Sequence, residues 1–131
     1  GDVAEYAGQS FGLWAVGAQQ GELAARHLTG EKTAAYTGFV PSTLLKVIGA
    51  EVMSVGEIHR SQPQDEWIVF EDAELFQYCK LLVRDGCLYG AILMGHSAYM
   101  AAVSHAVKNK RNISSCLAAL RQGDLSVLNQ D

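Results

Sequence analysis

Asp85-Gly86 lies between two alternating apolar runs, residues 76–84 and 87–94. Asp-Gly supplies the two positive φ angles of a type I′ turn, whose twist matches that of the strands it joins. The pair predicts a β-hairpin with a register set at the turn. Arg84 falls opposite Cys87 and Val83 opposite Leu88. Further out, Leu81 falls opposite Gly90 and Cys79 opposite Ile92. Val83, Leu88, Leu81, Cys79, Ile92 and Met94 then share one apolar face, the expected core. Arg84, Lys80, Tyr78, Tyr89 and Leu82 share the other, a mixed face expected to be partly wet or covered, with the head groups of Arg84 and Lys80 in water. Cys79 and Cys87 are not opposite each other, so no cross-strand disulfide is expected.

Further β-type runs precede this hairpin. Residues 43–48 and 51–57 flank Gly49-Ala50 and read as a second hairpin. Residues 61–65, containing Pro63, read as a polar loop, and residues 67–70 as a short strand ended by Asp72 to Glu74. Helical spacing appears at both ends of the chain. Val16, Leu23, Ala24, His27 and Leu28 form a stripe over 13–29, with Gly30 placed to stop the helix. Gly17, Ala18, Gly21 and Ala24 give that helix a small-residue side. Tyr99, Ala102, Val103, Ala106 and Val107 form a later stripe, with Lys108, Lys110 and Arg111 at its C-terminal end. Ser114 or Ser115 can cap a last helix through Arg121, ended by Gly123, with a frayed tail beyond. Residues 32–42 read as a linker. The fold class is α+β: an N-terminal helix, an antiparallel sheet of about five strands, then two C-terminal helices.

The 131 residues suit one ordinary domain, and the longest apolar runs fall short of a membrane span. The net charge of −4 without a basic stripe argues against nucleic acid and anionic membranes as partners. No charged-then-apolar opening with a cleavage site is present, so the expected location is the cytoplasm. Cys79, Cys87 and Cys116 form no C-x-x-C pair, and the four histidines share no helical metal spacing, so no metal site is expected. Ser42-Thr43 lacks a nucleophile elbow. Glu71, Asp72 and Glu74 lack calcium-loop spacing and read as a solvated loop, as does Asp65-Glu66.

Gly1-Asp2-Val3-Ala4-Glu5, followed by a helix with Gln20-Gly21 and Ala24-Ala25, resembles the last FAD-contacting segment of flavin-dependent pyridine nucleotide-disulfide oxidoreductases. Thr43-Leu44-Leu45-Lys46-Val47-Ile48-Gly49, then Ser54-Val55-Gly56, resembles the start of the C-terminal domain in one branch. That branch holds NADH:rubredoxin reductases, the flavin portion of nitrite reductases and related NADH oxidases. The Asp-Gly hairpin and residues 90–95 match it too, and the resemblance covers residues 1–108. No G-x-G-x-x-G dinucleotide fingerprint occurs, so the resemblance implies a C-terminal fragment. Its expected parts are 1–31, the end of an FAD-binding domain; 32–123, an α+β interface domain; and 124–131, a tail.

The resemblance implies FAD as cofactor and NAD(P)H as substrate of the intact enzyme, with electrons passed on to an acceptor such as a small redox protein. It assigns Asp2 to the ribityl chain of FAD; the alternative is an ordinary loop carboxylate. It sets Trp14 and Ala15, at the helix N-terminus, beside the flavin pyrimidine ring; the alternative is that Trp14 simply packs. Lys46 approaches the flavin or a partner's anionic surface, or else reaches water from an edge strand. No catalytic residue is assigned. The competing function is a non-catalytic module for dimerisation or redox-partner docking. The first helix needs cover for its apolar side, and a homodimer through it is expected; the alternative is that the helix folds back on the chain's own sheet.

Overall fold

The computed structural model describes residues 1–31, 35–47, 49–59 and 61–129. The expected start of the linker (32–34) and the expected end of the first hairpin strand (48) lie outside the described residues. Backbone contacts divide the chain into two units, 1–39 and 40–131.

The first unit is built on helix α1 (Trp14–Leu28). Leu13 precedes it in extended conformation, and its carbonyl accepts the N–H groups of Val16 and Gly17, both at 3.1 Å. At the other end Gly30 takes φ +93°. Its N–H donates to His27 C=O (3.1 Å), and Glu31 N–H donates to Arg26 C=O (3.0 Å), the paired closure that an unbranched left-handed residue permits. Of the expected apolar stripe only Val16 is buried; Leu23 is half-buried, and Ala24, His27 and Leu28 are exposed. A helix buries its stripe only where a second layer covers it, and among the described residues of this unit there is no sheet.

The second unit holds a five-stranded antiparallel sheet in the order β1-β2-β5-β4-β3. Its strands are β1 (Ser42–Val47), β2 (Ala50–Gly56), β3 (Glu66–Asp72), β4 (Gln77–Arg84) and β5 (Cys87–Met94). A 3₁₀ turn (Ser97–Tyr99), helix α2 (Met100–Lys108), helix α3 (Leu117–Arg121) and a second 3₁₀ turn (Leu125–Asn129) follow. These helices cover one face of the sheet. Met53, Val55, Ile68, Leu81, Leu93 and Val103 stand at the centre of the shared core. The α+β architecture matches the expectation.

The Asp85-Gly86 turn forms as expected, with φ +50° and +72° and with Arg84 opposite Cys87 and Val83 opposite Leu88. The next step departs from the expectation. Leu82 pairs with Gly90, Leu81 with Ala91 and Cys79 with Leu93, so Tyr89 is an extra residue in a β-bulge. The bulge reverses the alternation of β5 beyond it. Ala91 and Leu93 are buried in the core, whereas Ile92 and Met94, expected there, lie half-buried on the opposite face. The cause is a chain crossing. Glu57 N–H donates to Tyr89 C=O (3.0 Å), and a Cβ at Gly90 would stand 1.7 Å from the Glu57 carbonyl oxygen. Leu82, on the face expected to be partly wet or covered, is fully buried.

The C-terminal end is also tighter than expected. Leu125 and Leu128 are buried in the core, so 125–129 pack rather than fray. Cys116, not a serine, stands at the start of α3, which has no side-chain cap; Ser114 N–H is taken by Asn112 Oδ1 (3.0 Å). Gly123 ends α3 at φ +86°, as expected.

Candidate functional site

In the first unit, residues 1–12 fold beside α1. Ala4 N–H donates to Gly1 C=O (2.9 Å), a turn that leaves Asp2 exposed. The Gly1 amino group donates to Gln20 Oε1. Tyr6 and Gln9 exchange backbone hydrogen bonds of 2.9 and 3.0 Å around Ala7-Gly8, both at positive φ. The ring of Tyr6 meets that of Tyr36 edge-on at 4.7 Å. Between these residues and α1 runs an open groove of about 490 Å³, lined by Gly1, Ala4, Tyr6, Gly17, Gly21 and Ala24 among others. Glycine at 17 lets the chain start come close: a Cβ there would lie 3.5 Å from Gly1 Cα.

The N-terminus of α1 has neither a side-chain cap nor an acid in its first turn. Trp14 and Ala15 occupy the positions whose N–H groups have no intrahelical acceptor. Both residues are exposed, Trp14 to 88%. Asp2, Trp14 and Ala15 thus share the first unit as exposed groups. They supply a carboxylate that accepts hydroxyls and a positive helix end that favours electron-rich atoms.

Lys46 belongs to the second unit. Its Nζ lies 3.0 Å from Glu51 Oε1, on the neighbouring strand. Lys46, helped by Ser97, holds the Glu51 carboxyl below its ordinary range. The pair lines an open pocket of about 370 Å³ with Val47, Leu75, Phe76 and Gly95. The expected turn at Gly49-Ala50 would set Lys46 opposite Met53; Val47 pairs with Ala50 instead, and this shift brings Lys46 opposite Glu51.

Sequence reasoning missed a charged cluster in the second unit. Asp65 is buried, not solvated. Arg84 Nε donates to Asp65 Oδ1 (2.6 Å), and Arg84 Nη2 donates to Glu57 Oε2 (2.6 Å). Ser61 and Gln62 N–H groups donate to Asp65 Oδ2 at 2.8 and 2.9 Å. The Arg84 side chain is 11% exposed, against the expectation of a wet head group. Its guanidinium and the Lys110 ammonium flank the ring of Tyr89, at 4.3 and 5.1 Å from the centroid. Lys80 lies 4.0 Å from the centroid of Trp67. The Arg84 guanidinium holds the Asp65 carboxyl well below the usual carboxylate range. No local motif signals this cluster, because its members come from three separate segments. Cys79 is a core thiol, pushed up to about 12 by burial and so unreactive. Among the described residues no cluster of His, Cys, Asp or Glu is arranged for a metal ion.

Residues 41–111 match the family model described as the rubredoxin NAD+ reductase C-terminal domain. The chain belongs to that family. It is 33% identical to the nitrite reductase [NAD(P)H] of Bacillus subtilis over 114 residues, 87% of this chain and 14% of that protein. It is 31% identical to the NADH-rubredoxin oxidoreductase of Clostridium acetobutylicum over 123 residues, 92% of this chain and 31% of that protein. The crystal structure of NADH:rubredoxin oxidoreductase from Clostridium acetobutylicum superposes with a TM-score of 0.64 at 29% identity, covering 93% of this chain and 32% of that one. The chain therefore spans less than a third of the length of these relatives, whose names describe NAD(P)H-linked reductases. The expected resemblance to this oxidoreductase branch holds, as does its partial extent.

Proposed function

We propose that this chain works as the C-terminal part of an FAD-dependent NAD(P)H oxidoreductase located in the cytoplasm. In this reading residues 1–31 complete an FAD-binding domain, and the sheet and helices of 32–123 form the C-terminal domain, with 125–129 packed onto it. The observation that carries the reading is the family match over 41–111, together with the exposed, uncapped start of α1.

A bound flavin would supply the chemistry of accepting a hydride from nicotinamide and passing electrons onward. The residues present fit such a group at one edge. Asp2 would hold it through hydroxyls of its ribityl chain. The free N–H groups at Trp14 and Ala15 would orient the electron-rich side of its ring and stabilise negative charge there. Lys46, tied to Glu51, would bring a positive charge toward the flavin or toward a docked protein. The acceptor in this reading is a small redox protein. The exposed Leu75 and Phe76 beside the Lys46–Glu51 pair support this, as apolar surface with a charged rim suits transient docking.

The test is flavin content in the longer reductase polypeptide that carries this segment. Asp2→Ala is expected to lower bound FAD while circular dichroism stays unchanged. Full flavin occupancy in that variant would remove Asp2 from the site.

A further inference from the structure

The two edges of the sheet are finished differently. On β3, Glu66, Glu71 and Asp72 place charge along the strand, and Arg121 of α3 binds Glu66 at 2.7 Å. Charge and cover of this kind keep an edge from pairing with a foreign strand. β1 has no proline, no bulge and one charge, and that charge is bound to Glu51 on the inner neighbour β2. Leu44, Leu45 and Val47 are each about half exposed (51%, 54% and 51%).

The direction of the free backbone groups follows from one hydrogen bond. Gly56 N–H donates to Pro41 C=O (2.8 Å), so Pro41 faces β2. Alternation in an antiparallel ladder then turns Thr43, Leu45 and Val47 toward β2, and Ser42, Leu44 and Lys46 outward. Among the described residues nothing pairs with this outward row.

We propose that β1 is a self-pairing edge: two copies of this chain join β1 to β1, antiparallel, about a two-fold axis through Leu44. The outward row reads polar, apolar, polar, and is its own complement when reversed. Leu44 meets its symmetry copy, and Ser42 meets Lys46 from the other chain. All three outward residues thereby exchange backbone hydrogen bonds. The register also keeps the two Lys46 ammonium groups from facing each other, and like charges directly opposite are destabilising. A two-fold contact requires such self-complementarity. The contact uses no part of α1, so it is distinct from the dimer expected through that helix. It does not rest on the flavin reading, because its test reads association alone.

Sedimentation velocity of the 131-residue chain across the micromolar range is expected to show a monomer–dimer equilibrium. Leu44→Lys sets two charges together at the axis and is expected to weaken association by about tenfold or more. Val69→Lys, on the far edge, is expected to leave it unchanged. Amide exchange gives a second readout that does not depend on a variant. Ser42, Leu44 and Lys46 are expected to be protected at dimer concentrations and to exchange freely on dilution, with Thr43 and Leu45 protected throughout. A monomer at all concentrations would overturn the proposal. So would a dimer whose Ser42, Leu44 and Lys46 amides exchange freely, or one that Leu44→Lys leaves intact.

Discussion

Arg84 illustrates how one side chain couples three segments. It leaves the end of β4, receives Asp65 from the crossing loop and Glu57 from the end of β2, and stacks on Tyr89 of the bulge. The Asp65 carboxyl is held below its ordinary range chiefly by its hydrogen bond to Arg84. A depressed carboxyl pKa means that the unfolded chain binds the proton more tightly. Its stabilisation is complete above the unfolded value of about 3.9 and is lost progressively as pH falls below that value through the lower folded one. Arg84→Met is therefore expected to move the acid unfolding midpoint to higher pH, followed by circular dichroism. His96 behaves in the opposite chemical sense. It is buried against Phe70 and Tyr99, its Nε2 lacks a partner, and burial lowers its pKa from 6.5. Protonation then favours the unfolded chain, so stability is lost as pH falls below about 6.5. The His96→Phe variant is expected to lose less stability than the parent between neutral pH and pH ~5, measured by urea unfolding.

At the scale of elements, the bulge in β5 decides which residues reach the core. Leu93 is fully buried and Ile92 is not. Leu93→Ala and Leu81→Ala are each expected to cost about 2–5 kcal/mol in urea unfolding, and Ile92→Ala clearly less. An equal cost at positions 92 and 93 would contradict the bulge. Gly90 is the element's second constraint, because the Glu57 backbone occupies the space a side chain would need. Gly90→Ala is expected to cost at least about 2 kcal/mol, since the obstructing atoms are main chain and cannot rotate aside. Ala50 already belongs to β2 and pairs with Val47, so the β1–β2 turn is not the expected Gly49-Ala50 pair; Gly49 takes φ +82°.

At the scale of the molecule, the chain has no G-x-G-x-x-G dinucleotide fingerprint, and under the proposed function it would supply only one edge of a flavin site. A dinucleotide needs a strand, a glycine-rich turn and a helix N-terminus arranged around its pyrophosphate. The purified 131-residue chain mixed with FAD is therefore expected to stay colourless after desalting and to leave NADH unoxidised. Stoichiometric retention of flavin, read by its visible absorbance, would overturn the proposed division of labour. The same asymmetry shapes the exposed surface. Among the described residues of the second unit, the large exposed apolar side chains are Leu44, Leu45, Val47, Val69, Leu75 and Phe76, all on strands or on a strand-connecting turn. The helices over the core contribute none of them.

Local chemistry determined the elements. Asp85-Gly86 fixed a hairpin because only small or polar residues accept two successive positive φ angles. Gly30 and Gly123 marked helix ends for a related reason, and the motif series around Lys46 pointed to the reductase branch. The tertiary structure decided what depends on a crossing chain. The passage of Glu57 over Gly90 inserted Tyr89 as a bulge, exchanged Ile92 for Leu93 in the core, and brought Asp65 under Arg84. Alternation within a strand cannot foretell such a crossing, because the residue that forces it lies more than thirty positions away in sequence. The stripe of α1 failed for the complementary reason. Periodicity states which side of a helix is apolar, while burial requires a second surface, and within its unit only Val16 finds one.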